Sequence, residues 1–193
     1  MDVERAARAW LREHGADDIA HAGGSLYAHL GRVHDRLASL GLDPDVQLAG
    51  LTHAAYGTDG FPVCLLDVAD RAQLRRLLGE RAELLVYTYG GCDRGHTWRA
   101  LGRTRLIRNR FTGAVESPPP DELRAFVDLS IVNELDVIEH QAGSPGDWLR
   151  DLVASWASLA SPAVMADAER VLGQPDRYQL LVRRSRHGRP SGS

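Results

Sequence analysis

Residues 49–58 read Ala49-Gly50-Leu51-Thr52-His53-Ala54-Ala55-Tyr56-Gly57-Thr58. An apolar helical run ends here on a histidine, and tyrosine, glycine and threonine follow. Asp43 and Pro44 open the run as N-cap and first helical residue. The run is apolar nearly all round, which predicts a helix at the centre of a helical fold. Upstream, Leu26, Leu30, Val33, Leu37 and Leu40 fall on one helical face, with Ser25 as N-cap and Gly41 as stop. His29 lies inside that stripe, 24 residues before His53. Two such helices joined by a tight turn can bring the two imidazoles face to face.

The flanking sequence extends the helical pattern. An amphipathic helix is predicted over 2–14, a loop carrying His21 over 15–24, and helices over 67–78 and 80–89. The pattern breaks over about 90–120, where Arg105–Arg108 and Ala114–Glu116 can pair as a small β-hairpin around Thr112-Gly113. Pro118–Pro120 close this insert, and a long helix is predicted from Asp121 to about Gln141. Two short helices are predicted near 146–158 and 162–172. Tyr178–Val182 read as a last packed element, and 183–193 as a flexible, solvated tail. The expectation is one all-α domain over 1–182.

Composition narrows the function classes. At 44% hydrophobic and 25% charged, the 193 residues match an ordinary globular protein. A net charge of −3 gives no reason to expect nucleic acid. All 23 basic residues are arginine, which reads as codon bias from a GC-rich genome. No apolar stretch approaches a membrane span, and Met1–Arg5 has no apolar leader, so a cytoplasmic protein with reduced Cys64 and Cys92 is expected.

A single buried histidine is usually satisfied by one hydrogen bond. Two on consecutive apolar helices are harder to explain that way, because burying an unpartnered polar group costs about 2 kcal/mol or more. A shared divalent metal would satisfy both rings, with further donors from later helices. His21, before Gly23-Gly24, is either a loop residue or a third donor. Glu83 sits between Ala82 and Leu84-Leu85-Val86, where apolar neighbours would raise its pKa and suit it to proton abstraction; the alternative is a rim glutamate paired with an arginine such as Arg94. Tyr56 either bonds a ligand or packs. Thr58 follows a glycine able to turn backbone N–H groups into a pocket. Arg94 could grip a phosphate or carboxylate, or form a surface ion pair. Arg71, Arg75 and Arg76 read as a solvated helix face.

The segments Ser25-Leu26-Tyr27-Ala28-His29-Leu30 and Leu48-Ala49-Gly50-Leu51-Thr52-His53 resemble the first half of the HD superfamily of metal-dependent phosphohydrolases. The spacing is similar to that of the guanosine-tetraphosphate hydrolase branch, as is Leu78–Val86, and the whole resemblance runs over roughly 20–140. A further likeness is to an uncharacterised HD-like branch carrying His-Ala-Tyr-Gly-Thr variants. The resemblance implies an HD-like helical bundle with a small β-hairpin insert. It also implies a divalent transition metal (iron, manganese or zinc) and a small-molecule substrate, phosphorylated or a nucleotide. In that family a histidine, a His-Asp pair and a late aspartate hold the metal. Here Ala54 replaces the paired aspartate, and Asn133 stands near the late position, with Asp128 and Asp136 one turn either side. The implied metal set is His29, His53, Asn133 and His21; the residues' own chemistry adds Glu83 or Asp59 as proton acceptor, Tyr56 with Glu83 as catalytic candidates, and Thr58 and Arg94 as candidates to hold substrate. Two other readings stay open: a non-haem iron oxygenase or lyase on the same scaffold, and a metal-free binding domain.

Overall fold

The computed structural model describes residues 2–140 and 147–173. The chain is mostly helical, with two small antiparallel strand pairs among the described residues. Helix α1 (Val3–Glu13) leads into a minimal hairpin, β1 (Ala20–His21) with β2 (Gly24–Ser25). Then come α2 (Leu26–Ser39) and α3 (Pro44–Thr52), a 3-10 turn at Val68–Asp70, α4 (Arg71–Leu78), α5 (Glu80–Gly91) and α6 (Arg94–Thr104). Strands β3 (Ile107–Arg108) and β4 (Val115–Glu116) form the second hairpin. The long α7 (Pro120–His140), α8 (Asp147–Trp156) and α9 (Pro162–Leu172) complete the described fold.

Local chemistry sets the ends of the two helices that matter most. Ser25 caps α2 by accepting from the Ala28 N–H, and Asp43 caps α3 by accepting from the Asp45 N–H, with Pro44 in the first turn. The predicted stripe of α2 is buried: Leu26, Leu30, Val33 and Leu37 are fully covered. Gly50 makes the close approach of α3 possible, because a Cβ there would lie 2.3 Å from Leu37 Cδ1. Helix α7 runs beside α2, α3 and α5, burying Phe126, Val127, Leu129 and Val132.

Three expectations are corrected. The predicted loop before α2 contains the β1–β2 hairpin, which fixes His21 against Gly24. The predicted helix over 67–78 begins as the 3-10 turn and becomes α-helical only at Arg71. The insert holds the β3–β4 hairpin close to where it was expected, but also the unexpected α6. That helix is capped by Asp93 and held from outside. Trp98 meets Trp156 of α8 edge-on at 5.5 Å, and the Trp156 indole N–H donates to Trp98 O. Tyr178–Val182 and the expected tail lie outside the described residues. No helix among the described residues is long and apolar enough to cross a membrane.

Candidate functional site

Helices α2 and α7 each present two polar residues one turn apart. His29 and Arg32 on α2 face Asn133 and Asp136 on α7, an i,i+3 spacing that puts each pair on one face. His53 arrives from the third side as the C-cap residue of α3. His29 and His53 are 1% and 3% exposed. Their Nε2 atoms are 3.4 Å apart, and His29 Nε2 is 3.1 Å from Asn133 Oδ1. The two imidazoles therefore converge, as the sequence predicted.

Hydrogen bonds on the far sides of these groups fix their protons. His53 Nδ1 is 2.8 Å from Gly50 O. A carbonyl only accepts, so Nδ1 carries the hydrogen, and Nε2 of the neutral ring is a lone pair. Burial, followed by the neighbouring His29, lowers the His53 pKa to about 3, so the ring is neutral at pH 7. His29 Nδ1 is 2.7 Å from Asp136 Oδ2. Arg32 donates to both Asp136 oxygens at 2.8 and 2.9 Å. Burial alone would raise Asp136, but His29 and Arg32 hold it at about 2. The carboxylate is ionised, and His29 Nδ1 is the donor. Asn133 Nδ2 donates to Glu134 Oε1 at 3.0 Å, which aims Oδ1 at His29. His53 Nε2 and Asn133 Oδ1, both acceptors, thus face His29 Nε2, which is a third acceptor when its ring is neutral and a donor when it is protonated.

The surround is tied together. Arg94 donates to Glu134 Oε1 at 3.3 Å and to the Tyr89 hydroxyl at 2.9 Å, and Tyr89 meets the His53 ring edge-on at 5.1 Å. His21 stacks on His29 with ring centroids 4.2 Å apart, and Phe61 meets His21 edge-on at 4.9 Å. His21 Nδ1 is buried with no hydrogen-bond partner among the described residues. Burial, then His29, lowers the His21 pKa to about 4.

Several expected roles move. His21 is at the site, but a ring stacked on His29 directs its in-plane lone pairs alongside those of His29 rather than toward the same point. It covers the cluster instead of completing it. Arg94 pairs with Glu134 and Tyr89 and so braces the frame beside the histidines. Thr58 is buried, and its backbone N–H and C=O pair with Phe61, shaping the loop that sets Phe61 on His21. Of the late-position candidates, Asn133 meets His29 Nε2. Asp136 bonds the opposite nitrogen, and Asp128 accepts from the Ser161 N–H elsewhere on α7. Asp59 accepts from the Arg94 backbone N–H.

Glu83 is the clearest correction. It is fully buried, but not as a raised-pKa base. Its oxygens accept from the Tyr56 hydroxyl at 2.8 Å, from Arg71 Nε and Nη2 at 2.8 and 2.9 Å, and from Arg75 at 3.3 Å. Burial works against the charge, but Arg71 and Tyr56 prevail and hold the carboxyl below the usual range. Burial, with Glu83 accepting its proton, raises the Tyr56 hydroxyl. Neither group shares a hydrogen bond with the histidines, and of the expected solvated face Arg71 is drawn in toward Glu83 while Arg75 and Arg76 remain exposed. The roles of Arg32, Tyr89, Phe61 and Glu134 were not read from the sequence. The one available signal was Arg32, a charge one turn past a buried histidine on an apolar stripe.

Residues 10–94 match the model of a family described as a domain of unknown function, DUF6817. The match covers less than half of the chain. It includes His21, His29 and His53 but stops before α7. No curated protein and no solved structure matches the chain. Among the described residues, no group of three or more His, Cys, Asp or Glu side chains is placed to hold a metal. The third donor beside His29 and His53 is an amide oxygen, that of Asn133.

Proposed function

We propose that this chain is an HD-like metal-dependent enzyme whose single ion is held by His29 Nε2, His53 Nε2 and Asn133 Oδ1. One observation carries the reading. His29 Nε2, His53 Nε2 and Asn133 Oδ1 converge in a buried space, and Gly50 O and Asp136 hold the Nδ1 hydrogens on the far sides, so that neutral rings would turn only lone pairs inward. Facing lone pairs repel unless a positive centre sits among them. The donor set fits a borderline transition ion. The 3.4 Å between the two nitrogens is about the edge of a tetrahedron around an ion bonded to imidazole at about 2.0–2.1 Å. Asp136 stands behind His29 as outer carboxylate, the usual device for orienting a ligating ring. A proton on His29 Nε2 is the competing positive centre, and metal analysis separates the two.

When bound, such an ion supplies an acidified water or a polarised oxygen at neutral pH. The chain's own groups do the rest. Asp136 and Gly50 O hold the rings in the ligating tautomer. Asn133 contributes no charge, so the site keeps the ion's full positive field for an anionic substrate. His21, neutral at pH 7 and with Nδ1 unpartnered among the described residues, stands over the cluster as proton acceptor in place of Glu83. The reaction assigned is hydrolysis of a phosphorylated small molecule or nucleotide, in line with the resemblance of the His29 and His53 segments to phosphohydrolases. A second reading, a non-haem iron oxygenase or lyase, draws on the arrangement of two imidazoles and one oxygen donor. The test is metal content of purified full-length protein, with phosphate release from a nucleotide panel. Stoichiometric zinc or manganese with phosphate release lost in His53→Ala supports the hydrolase. Iron with oxygen consumption moves the assignment to the second reading. No bound metal after reconstitution leaves a metal-free binding domain and overturns both.

A further inference from the structure

A cleft of about 330 Å³ opens away from the histidines, between the start of α3, the outer face of α5, the β3–β4 hairpin and the start of α7. None of its lining residues belongs to the cluster described above. The volume is that of a small-molecule site. Its floor is apolar: Val46, Leu84, Leu85, Ile107 and Ala125 line it, and Leu84 is 40% exposed. Its rim is acidic: Asp45, Glu116, Asp121 and Glu122 stand against one cation, Arg81, which already pairs with Asp45 at 3.6 Å.

Three of those acids sit in the first turns of α3 and α7, where a carboxylate complements the helix end. That effect does not neutralise the rim. Each helix end is worth roughly half a positive charge, so with Arg81 included about two negative charges remain. An independent feature points to a ligand. Asn109 is 6% exposed and lines the same cleft. Its Oδ1 accepts from the Phe111 and Thr112 N–H groups, which fixes the amide orientation. Its Nδ2 makes no hydrogen bond among the described residues and belongs to a side chain that lines the cleft, so one amide donor is available to a ligand there.

We propose that this cleft binds a small organic amine: a cationic head at the Glu116–Glu122 rim, an apolar body over Leu84 and Ile107, and an oxygen acceptor at Asn109 Nδ2. The site is separate from the proposed metal centre and does not depend on it.

Asn109 and Asn133 are the only asparagines in the chain. Selective ¹⁵N labelling of asparagine in the full-length protein therefore gives one side-chain amide reporter for the cleft and one for the histidine cluster. Titration with para-methoxyphenethylamine should shift the Asn109 amide in a saturable way and leave Asn133 in place. The uncharged para-methoxyphenethyl alcohol should bind about tenfold more weakly, as should the amine to E116Q/E122Q, since two exposed charge contacts together are worth about one such factor. The difference should shrink with added salt. Both substitutions are at exposed positions, and an unchanged amide spectrum before titration verifies the fold. Equal binding of amine and alcohol, indifference to E116Q/E122Q, a shift at Asn133 instead, or no saturable shift would each overturn the proposal.

Discussion

Glu83 and His29 are equally buried, at 0% and 1% exposure, yet their surroundings differ in kind. Around Glu83 both carboxylate oxygens meet donors from Tyr56, Arg71 and Arg75, so the cluster is complete without any guest. Around His29 the outer side is equally well satisfied by Asp136 and Arg32, but the inner side brings two acceptors, His53 Nε2 and Asn133 Oδ1, to one imidazole nitrogen. Native structures keep few buried polar atoms unsatisfied, and those that remain call for a ligand or a function. A closed polar cluster marks architecture. An open one marks a place for something else.

Substitution should separate the two clusters most sharply. His29→Ala and His53→Ala should each remove metal from the purified protein and take activity to background, because two of three donors cannot hold the ion. Stoichiometric metal in either variant would break the contrast. Glu83→Gln should do the reverse. It removes the carboxylate from Arg71 and Tyr56, for which breaking a fully buried pair costs about 3–5 kcal/mol. Arg71 is a quarter exposed, so a loss of about 2 kcal/mol in denaturant unfolding is expected, with metal content and activity per folded molecule unchanged. Lost activity at full stability would return Glu83 to the chemistry. Asp136→Asn should fall between them, weakening metal affinity about 10–100-fold through the orientation of His29; a titration with unchanged affinity would remove Asp136 from the site.

The smallest effect expected is on pH dependence in the metal-free protein. His53 and His21 have folded values of about 3 and 4 against about 6.5 unfolded. The unfolded chain therefore binds more protons between those limits, and stability should fall as pH drops below about 6.5. Asp128 acts in the opposite sense. Burial raises it to about 6, so its contribution is present below about pH 4 and lost as pH rises through 6. Asp128→Asn should accordingly make the acid-side decline steeper, as read from midpoints at successive pH values. Metal-free protein whose stability stays flat from pH 7 to 4 would contradict the neutral, buried rings.

What could be read from the residues divides along physical lines. The helices α2 and α3 were legible because their stripes, caps and terminal glycines are local signals, and from them followed the meeting of His29 and His53. Helix α6 was not. Its turn-rich residues, with Gly95, Thr97 and Gly102, give little periodicity, and it is held by the Trp98–Trp156 contact from more than fifty residues away. Glu83 was misread for a related reason. Its apolar neighbours in sequence suggested a raised pKa, but its arginine partners come from α4, across the left-handed Gly79 that turns one helix back on the next, and Tyr56 comes from beyond α3. Which oxygen of α7 would reach His29 was also beyond local pattern, since Asn133 and Asp136 lie a turn apart and the packing of α2 on α7 decides which nitrogen each meets.

The direct measurement is a zinc titration of full-length protein labelled with ¹⁵N at asparagine. An ion shared by His29, His53 and Asn133 predicts that the Asn133 side-chain amide shifts and saturates at one equivalent while Asn109 stays fixed, and that His53→Ala abolishes the shift. An Asn133 amide that ignores zinc, in a folded protein that retains no metal, would mean that a proton on His29 Nε2 fills the gap between the rings.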